Sequence, residues 1–337
     1  MNGRERVTNL LRGLPTSSLP CMPITMLFAS DFIGARYVDY EKDHRVLAEA
    51  QLVLAERFGL DHVSAISGPG VESGDCGGQV VYPEDGPPAL DEKVSLLRDK
   101  AALSSLQPPP PAAGTRMANR LQAIRDLVAA TGGKLIVEGW VEGPCAAASE
   151  FRGLNRVMLD FYEDPQFVHD LVRFVVELEI SFALAQVEAG ADVIGIGDAA
   201  ASLIGPRLYE QFVWPGEQRI VAAIHQAGAM CRLHICGNNA PLLPMVARLA
   251  CEIVDVDSLV PMAEARRATG PEQVLCGNVD PVRVTHDGSP GTVREAFKQI
   301  HKAAGPRYVV AAGCEVPRGT PLANFQAMVD FAHNTAP

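Results

Sequence analysis

The sequence predicts an α/β fold in which eight parallel strands close into a (β/α)8 TIM barrel, with an N-terminal helical extension. Short apolar runs rich in β-branched residues alternate with longer amphipathic stretches, a pattern typical of a parallel sheet covered by helices on both faces. Eight such units match a closed barrel. The chain of 337 residues is long enough for one large domain, so we expect a single barrel domain over 1–337.

The alternation can be followed along the chain. Apolar residues recur at three- and four-residue spacing in the helical candidates 120–131, 164–190, 216–228 and 290–305. An open doubly wound sheet is the alternative, but its usual G-x-G-x-x-G turn is missing from MLFASDFIGARY. The predicted strands are MPITM (22–26), HVSAI (62–66), KLIVEG (134–139), DVIGIGD (192–198), CRLHICG (231–237), IVDVDS (253–258), VLCGNVD (274–280) and YVVAAGC (308–314).

One stretch, 67–119, departs from this alternation. It is rich in glycine and proline, and the four consecutive prolines at 108–111 exclude a helix or a central strand there. We interpret it as an elaborated excursion over the barrel mouth, with a hairpin around GGQVVYPEDG. The N-terminal MNGRERVTNLLRGL reads as an amphipathic helix with charges throughout, which is not the pattern of a secretory signal.

Composition limits the partners and the compartment. A formal net charge of −11 argues against nucleic acid or an anionic membrane surface as the main partner. No apolar run reaches the roughly 18 residues of a membrane span, and we expect a cytoplasmic protein. The eight cysteines are scattered, which favours buried thiols over a disulfide framework. Barrels of this size often pair, so a homodimer is compatible with the sequence.

Polar and thiol side chains collect where the predicted strands end. Active sites of (β/α)8 barrels lie at the carboxyl ends of the strands, so these side chains are expected at one rim. They are Glu142, Asp198, His234, Cys236, Asp257, Asn278, Asp280 and Cys314.

His234, Cys236 and Cys314 form the candidate metal site. His234 and Cys236 are two apart, so in an extended chain both point to the same side, and Cys314 ends the eighth strand. One imidazole and two thiolates suit Zn2+ with a fourth position left open. The residues alone leave a second interpretation open, in which the histidine is a hydrogen-bonded core residue and the cysteines are packing.

The other rim residues have two interpretations each. Asp198 either orients a metal ligand or caps the turn that follows it. Glu142 is either an acid, base or fourth ligand, or a solvated loop carboxylate. Asp257, Asn278 and Asp280 either bind polar groups of a cofactor or substrate, or form turns.

The stretches LHICGNNAPLLPMVARLACEIVDVD, VLCGNVDP and AAGCEVPRGTPLANFQAMVDFA resemble the corrinoid methyltransferase branch of the uroporphyrinogen decarboxylase superfamily. The resemblance extends through VEGPCAAASEF and GDAAASLIGPRLYEQFVWP. It implies a zinc-binding (β/α)8 barrel, with His234, Cys236 and Cys314 at the ligand positions. It also implies that Asp198, Asn278 and Asp280 lie in motifs that line the cleft.

The activity implied by the resemblance is methyl transfer between a corrinoid and a thiol or tetrahydrofolate acceptor. Methylcobalamin is expected on a partner corrinoid protein, because the D-x-H-x-x-G pattern of cobalamin-binding domains is not found in the sequence. Glu315 and Arg318 depart from the methyltransferase pattern, which leaves the acceptor open. The parent decarboxylases carry an arginine-rich N-terminal stretch where this chain has Arg36, so porphyrinogen decarboxylation is disfavoured.

Two further functions remain as alternatives. A zinc-dependent lyase or decarboxylase-like enzyme acting on a small acid would use Arg318 or Arg36 to bind the carboxylate. A non-catalytic protein would hold zinc in a closed four-ligand site.

Overall fold

The computed structural model describes residues 1–84 and 86–337. Within these residues a parallel sheet of seven strands runs in the order β1-β4-β5-β6-β7-β8-β9, and β2 and β3 form a separate antiparallel pair. The strands are β1 (His62–Ser64), β2 (Val80–Val81), β3 (Ala89–Leu90), β4 (Ile136–Glu142), β5 (Val193–Gly197), β6 (Met230–His234), β7 (Ile253–Val256), β8 (Val274–Val279) and β9 (Tyr308–Ala312).

Helices cover the outside of the sheet. The long helices match the four predicted ones to within a few residues. No helix of the described residues combines the length and apolar composition needed to cross a membrane. The helices are α1 (Gly3–Leu11), α2 (Leu27–Phe32), α3 (Tyr37–Lys42), α4 (His44–Phe58), α5 (Val71–Asp75), α6 (Arg116–Thr131), α7 (Pro144–Arg152), α8 (Leu154–Glu163), α9 (Pro165–Glu188), α10 (Gly205–Leu208), α11 (Trp214–Gln226), α12 (Leu243–Val246), α13 (Met262–Thr269), α14 (Pro290–Ala304) and α15 (Leu322–His333).

An extended segment takes the place of the eighth strand and closes the barrel. Cys21 forms a parallel bridge with Val310 of β9. On the other side, the carbonyl of Cys21 accepts a hydrogen bond from the amide of Asp61, which directly precedes β1. The predicted strand at 22–26 is therefore wrong in extent, because Pro23 has no N–H to continue the ladder beyond Met22.

Two apolar layers hold the barrel together. The larger layer lies between the strands and the surrounding helices. The smaller layer fills the amino-terminal end of the barrel with one or two buried side chains from each of five strands, among them Ile136, Val193 and Val274. Val7 and Leu10 of α1 pack against this layer, so the predicted N-terminal helix covers the bottom of the barrel and leaves the other end for chemistry.

Above the smaller apolar layer, a buried ionic network crosses the barrel. Arg232 of β6 is 1% exposed, and its Nε lies 2.9 Å from Asp255 of β7. Its Nη1 lies 3.3 Å from Glu138 of β4. Burying these charges is costly unless each has a partner, so the three side chains depend on one another.

The excursion at 67–119 contains the predicted hairpin. Val80 pairs with Leu90 and Val81 with Ala89, so the two strands are antiparallel as expected, although the second lies just beyond the predicted stretch. Asp85, within the predicted hairpin, lies outside the described residues.

Replacing Arg232 by methionine keeps the length of the side chain but leaves Asp255 and Glu138 without their cation. We expect the free energy of unfolding to fall by about 3–5 kcal/mol, as for other broken buried pairs. Urea unfolding followed by circular dichroism measures this. The control is Arg219→Met, which removes an exposed ion pair with Glu177 and is expected to shift the midpoint little. Equal midpoints for the two variants would show that the network does not stabilise the barrel.

Candidate metal centre

Three potential ligands meet at the carboxyl-terminal mouth of the barrel. His234 is the last residue of β6, Cys236 lies two residues beyond it, and Cys314 lies two residues beyond β9. The Cys236 and Cys314 sulfurs are 4.0 Å apart, and Nε2 of His234 lies 3.1 Å from Cys236 and 3.8 Å from Cys314. Two Zn–S bonds of about 2.3 Å span such a sulfur separation in a tetrahedral site. The spacing of the donor atoms therefore fits zinc.

Asp255 sets the orientation of the His234 ring. Its Oδ2 lies 3.0 Å from Nδ1 of His234, so Nε2 is the ring nitrogen that faces the sulfurs. Burial opposes ionisation of Asp255, but Arg232 and His234 outweigh it and lower the pKa of the carboxyl to about 2. A ring held by a carboxylate in this way is a common arrangement for a metal-binding histidine.

Asp255 was not among the residues predicted from the sequence. The stretch IVDVDS offers two aspartates on the same side of β7, and the prediction took Asp257, at the strand end. The signal that points to Asp255 is an aspartate inside an otherwise apolar strand. Such a residue is buried and needs a partner of opposite charge or a hydrogen-bond donor.

The two cysteines differ in acidity. The hydrogen bond between them is the main cause: it lowers the pKa of the Cys314 thiol to about 4, with further help from His234, and raises the pKa of Cys236. Burial works against the charged ring of His234, yet hydrogen bonds to Asp255 and Cys314 raise its pKa to about 10. The metal-free site therefore favours a thiolate at Cys314 paired with a charged imidazole.

A cavity of about 580 Å³ opens beside the three ligands. Its apolar wall includes Ile24, Met26 and Trp140, and all three ligands line it. Gly68, Pro69 and Leu90 of the excursion also line it, so this part of 67–119 does reach the mouth. Because the ligands face the cavity, a fourth metal position would be accessible to a small molecule.

Trp140 occupies the cavity because β5 leaves room for it. A Cβ at Gly195 would lie 2.0 Å from the indole ring, and one at Gly197 would lie 2.8 Å from its Nε1. The Trp140 backbone is held by Gln186, whose side chain accepts from its N–H and donates to its carbonyl at 2.8 Å each. The two glycines on this face of the strand are thus required by the position of the indole.

Glu142 also faces the cavity. It is the last residue of β4, not part of a solvated loop. Burial raises the pKa of its carboxyl well above the usual value, and the charges of Glu150, Glu72 and Asp198 raise it further.

Asp198 is buried behind the cavity wall. Its oxygens accept hydrogen bonds from the amides of Ala146, at 2.7 Å, and Cys145, at 3.3 Å, at the start of α7. Burial raises its pKa to about 6. These bonds hold the start of α7 and not the turn that follows Asp198, and Asp255 takes the place beside His234.

The remaining predicted residues, Asp257, Asn278 and Asp280, do not line the cavity. Asp257 accepts from the amides of Gly237 and Leu259 at 2.8 Å, so it fixes the loop that carries Cys236. The Asn278 side chain donates to the carbonyls of Asp257 and Val260, and Asp280 caps the turn after β8. All three side chains therefore bond the backbone of loops or turns at this end of the barrel.

The loop after Cys314 is tied to the N-terminal part of the chain. Glu315 lines the cavity, and its Oε1 accepts from the amides of Met26, at 3.2 Å, and Leu27, at 2.8 Å. Arg318 forms an ion pair with Asp31 at 2.6 Å. Arg36 pairs with Asp39 on the surface, outside the cavity lining.

Comparisons with known proteins agree with this arrangement. The family model described as uroporphyrinogen decarboxylase (URO-D) matches residues 2–335. A Methanosarcina mazei protein named methylcobamide:CoM methyltransferase MtbA is 28% identical, over 98% of this chain and 97% of its own length. A uroporphyrinogen decarboxylase from Nocardia farcinica is 29% identical over 58% of this chain and 54% of its own length. A solved methyltransferase structure from Methanosarcina mazei superposes with a TM-score of 0.85 at 23% identity, over 99% of both chains.

The acidity of Cys314 can be tested by alkylation of the metal-free protein with iodoacetamide. Because its pKa is lowered to about 4, Cys314 is a thiolate throughout pH 6–8. The rate at which iodoacetamide alkylates Cys314 should therefore stay nearly constant over this range. Cys76 is also partly exposed, but burial raises its pKa to about 12. The rate at which Cys76 is alkylated should therefore rise about tenfold per pH unit.

Peptide mass spectrometry locates the alkylated residues. His234→Gln removes a neighbour that lowers the pKa of Cys314 and should restore a dependence on pH. If Cys314 in the unaltered protein follows the same pH dependence as Cys76, the thiolate assignment is wrong.

Proposed function

This chain belongs to the uroporphyrinogen decarboxylase (URO-D) family, and within that family we propose that it is a zinc-dependent methyltransferase. It would move a methyl group between a corrinoid, carried as methylcobalamin on a partner protein, and a thiol or folate acceptor. The observation that carries the proposal is the convergence of His234, Cys236 and Cys314 beside an open cavity. The relative named methylcobamide:CoM methyltransferase, matched along nearly its whole length, supports the same reaction class.

His234, Cys236 and Cys314 would hold the zinc. The ion, when bound, supplies a Lewis acid that favours the thiolate form of an acceptor thiol near neutral pH. Asp255 keeps the His234 ring turned toward the two sulfurs, and Arg232 holds Asp255 in place. The apolar side chains of the cavity limit the access of water to the reacting groups.

Glu142 is the proposed proton acceptor. When the acceptor thiol loses its proton, a carboxylate oxygen of Glu142 would take it, because this side chain faces the cavity that the metal ligands line. The corrinoid, when bound, would supply the methyl group: the acceptor sulfur would bond to the methyl carbon, and the cobalt would keep the electron pair of the cobalt–carbon bond. Asp198 supports this step indirectly, because it fixes the start of α7 against the end of β5.

Exposed apolar side chains at the mouth support docking of a corrinoid protein there. Each follows the carboxyl end of a barrel strand, on the side of the molecule where the cavity opens. Apolar side chains grouped in this way are typical of protein–protein contact sites. They are Leu154 (36% exposed), Leu203 (64%), Leu259 (66%), Val282 (51%) and Leu322 (49%).

The alternatives are less well supported. A lyase acting on a small acid would need Arg36 or Arg318 for the carboxylate, but these side chains pair with Asp39 and Asp31. A closed structural zinc site would need a fourth protein ligand. His234, Cys236 and Cys314 instead face the cavity.

Replacing Cys236 or Cys314 by alanine should abolish both zinc binding and turnover, because either change leaves only two ligands. Zinc content is measured by plasma mass spectrometry, with about one equivalent expected in the unaltered protein. Turnover is followed as loss of methyl–cobalt absorbance when methylcobalamin is mixed with thiols or tetrahydrofolate. Cys76→Ala is the control. Full zinc content in both ligand variants would refute the site.

Replacing Asp255 by asparagine should weaken zinc binding by about 10- to 100-fold, since the ring of His234 loses the carboxylate that orients it. Competition with a chromophoric chelator measures the affinity. Asp170→Asn is the matched control, because it changes a carboxylate that pairs with Arg173 on the surface and lies outside the cavity lining. Equal affinities in the two variants would show that Asp255 does not position the ligand.

A further inference from the structure

A second group of potential metal ligands lies at the amino-terminal end of the barrel, away from the mouth. It consists of His225, Cys231 and Glu252, and one ligand atom of each lies within 4.8 Å of the others. His225 lies in the last turn of α11, Cys231 is the second residue of β6, and Glu252 directly precedes β7. None of the three side chains lines the cavity, so this group is separate from the candidate metal centre.

A short turn brings His225 beside Cys231. Residues 227–229 join α11 to β6, and the amide of Gly228 donates to the carbonyl of His225 at 2.9 Å. Gly228 has a φ of +86°, a conformation that favours glycine. Arg232 points into the barrel, so its neighbour Cys231 points outward, towards α11. The turn and the alternation of the strand thus place the imidazole and the thiol on the same side of β6.

Glu252 completes the group and is held in position. Its Oε2 accepts a hydrogen bond from the amide of Cys231 at 2.7 Å and lies 3.2 Å from Nε2 of His225. The side chain of Gln273 donates to the backbone carbonyl of Cys251 at 3.0 Å and to that of Glu252 at 3.4 Å. These bonds fix the backbone and the carboxylate beside the other two donor groups.

The sulfur of Cys231 has no strong hydrogen bond to lose. Its contact with the carbonyl of Val221 is 4.0 Å long. Burial raises the pKa of this thiol, and the charges of Cys251 and Glu252 raise it further, so the sulfur keeps its proton at neutral pH. A bound metal ion displaces the proton of a coordinating thiol. Metal binding here would therefore release one proton and would be favoured by higher pH.

An ion can reach this group from solvent. The side chains of His225 and Glu252 are 34% and 29% exposed, whereas Cys231 is buried beneath them. The group also lies at the carboxyl end of α11, a helix of 13 residues, where the helix dipole favours positive charge. Both observations favour a cation that approaches from the surface and meets the sulfur from the side of the imidazole and the carboxylate.

We propose that His225, Cys231 and Glu252 form a second zinc site, which binds more weakly than the site at the mouth. Imidazole nitrogen, thiolate sulfur and carboxylate oxygen are all zinc ligands, with bonds of about 2.0–2.3 Å, and water takes the fourth position. The affinity is lower because a buried thiol must give up its proton and the ion must separate His225 from Glu252. The site therefore fills only when zinc is supplied beyond the first equivalent.

The second zinc ion connects three elements of the barrel. It ties the end of α11 to the start of β6 and to the residue before β7. Because β6 also carries His234, the ion stabilises the strand that positions the candidate metal centre. Its expected effect is on the stability of the fold and not on the reacting groups, which lie at the other end of the strand.

Titration calorimetry with Zn2+ on protein that already contains one equivalent tests the proposal. We expect about one further equivalent to bind, with release of about one proton, which shows as a dependence of the heat on the ionisation enthalpy of the buffer. At a zinc concentration about 100 times the dissociation constant, the thermal unfolding midpoint should rise by about 3 °C or more. Absence of binding beyond the first equivalent would overturn the proposal.

Two variants identify the ligands. His225→Gln, on the surface, and Cys231→Ser, in the interior, should each weaken binding of the second equivalent by at least about tenfold and keep the first. Retention of the first equivalent also shows that the barrel of each variant is folded. His286→Gln is the matched control, because it breaks another surface pair of a histidine and a carboxylate, with Asp287, and should keep both equivalents.

Co2+ added as the second equivalent reports the sulfur directly. It should give a sulfur-to-cobalt absorption band in the unaltered protein and in His286→Gln, and none in Cys231→Ser. Unchanged binding of the second equivalent in His225→Gln or in Cys231→Ser would overturn the proposal. A second equivalent of Co2+ that binds the unaltered protein without this band would overturn it too.

Discussion

A buried chain of charges inside the barrel positions the candidate metal centre. Arg232 holds Asp255, and Asp255 holds the ring of His234, whose free nitrogen faces Cys236 and Cys314. Each charged side chain offsets part of the free energy needed to bury its neighbour. An isolated charge in an apolar interior would have no such compensation. The barrel brings together the ends of β6 and β9, and this chain of contacts fixes which atoms meet there.

The cavity combines features that suit one type of reaction. Its donor atoms are soft, its apolar wall limits water, and Glu142, the proposed proton acceptor, lines it. An acceptor thiol would need activation, a place for its proton and shelter from solvent.

Much of the barrel could be predicted from the sequence, and so could the meeting of three candidate metal ligands at its mouth. Strand periodicity and the rule that barrel chemistry lies at strand ends are local signals, and they located His234, Cys236 and Cys314. The strand predicted at 22–26 was wrong in extent, because a run of apolar residues does not show where a proline such as Pro23 ends the backbone hydrogen bonding. Asp257 was predicted because it ends the predicted strand, whereas Asp255 lies inside β7, and only the fold shows that Asp255 reaches the histidine.

The central claim is that one imidazole and two sulfurs bind zinc and leave a position for the acceptor. X-ray absorption at the zinc edge of the purified protein, before and after addition of a thiol, tests it most directly. The account predicts two sulfur ligands at about 2.3 Å, one nitrogen ligand and a light atom, with a third sulfur replacing the light atom when thiol is added. A zinc shell that does not change on addition of thiol, or one that contains no sulfur, would contradict it.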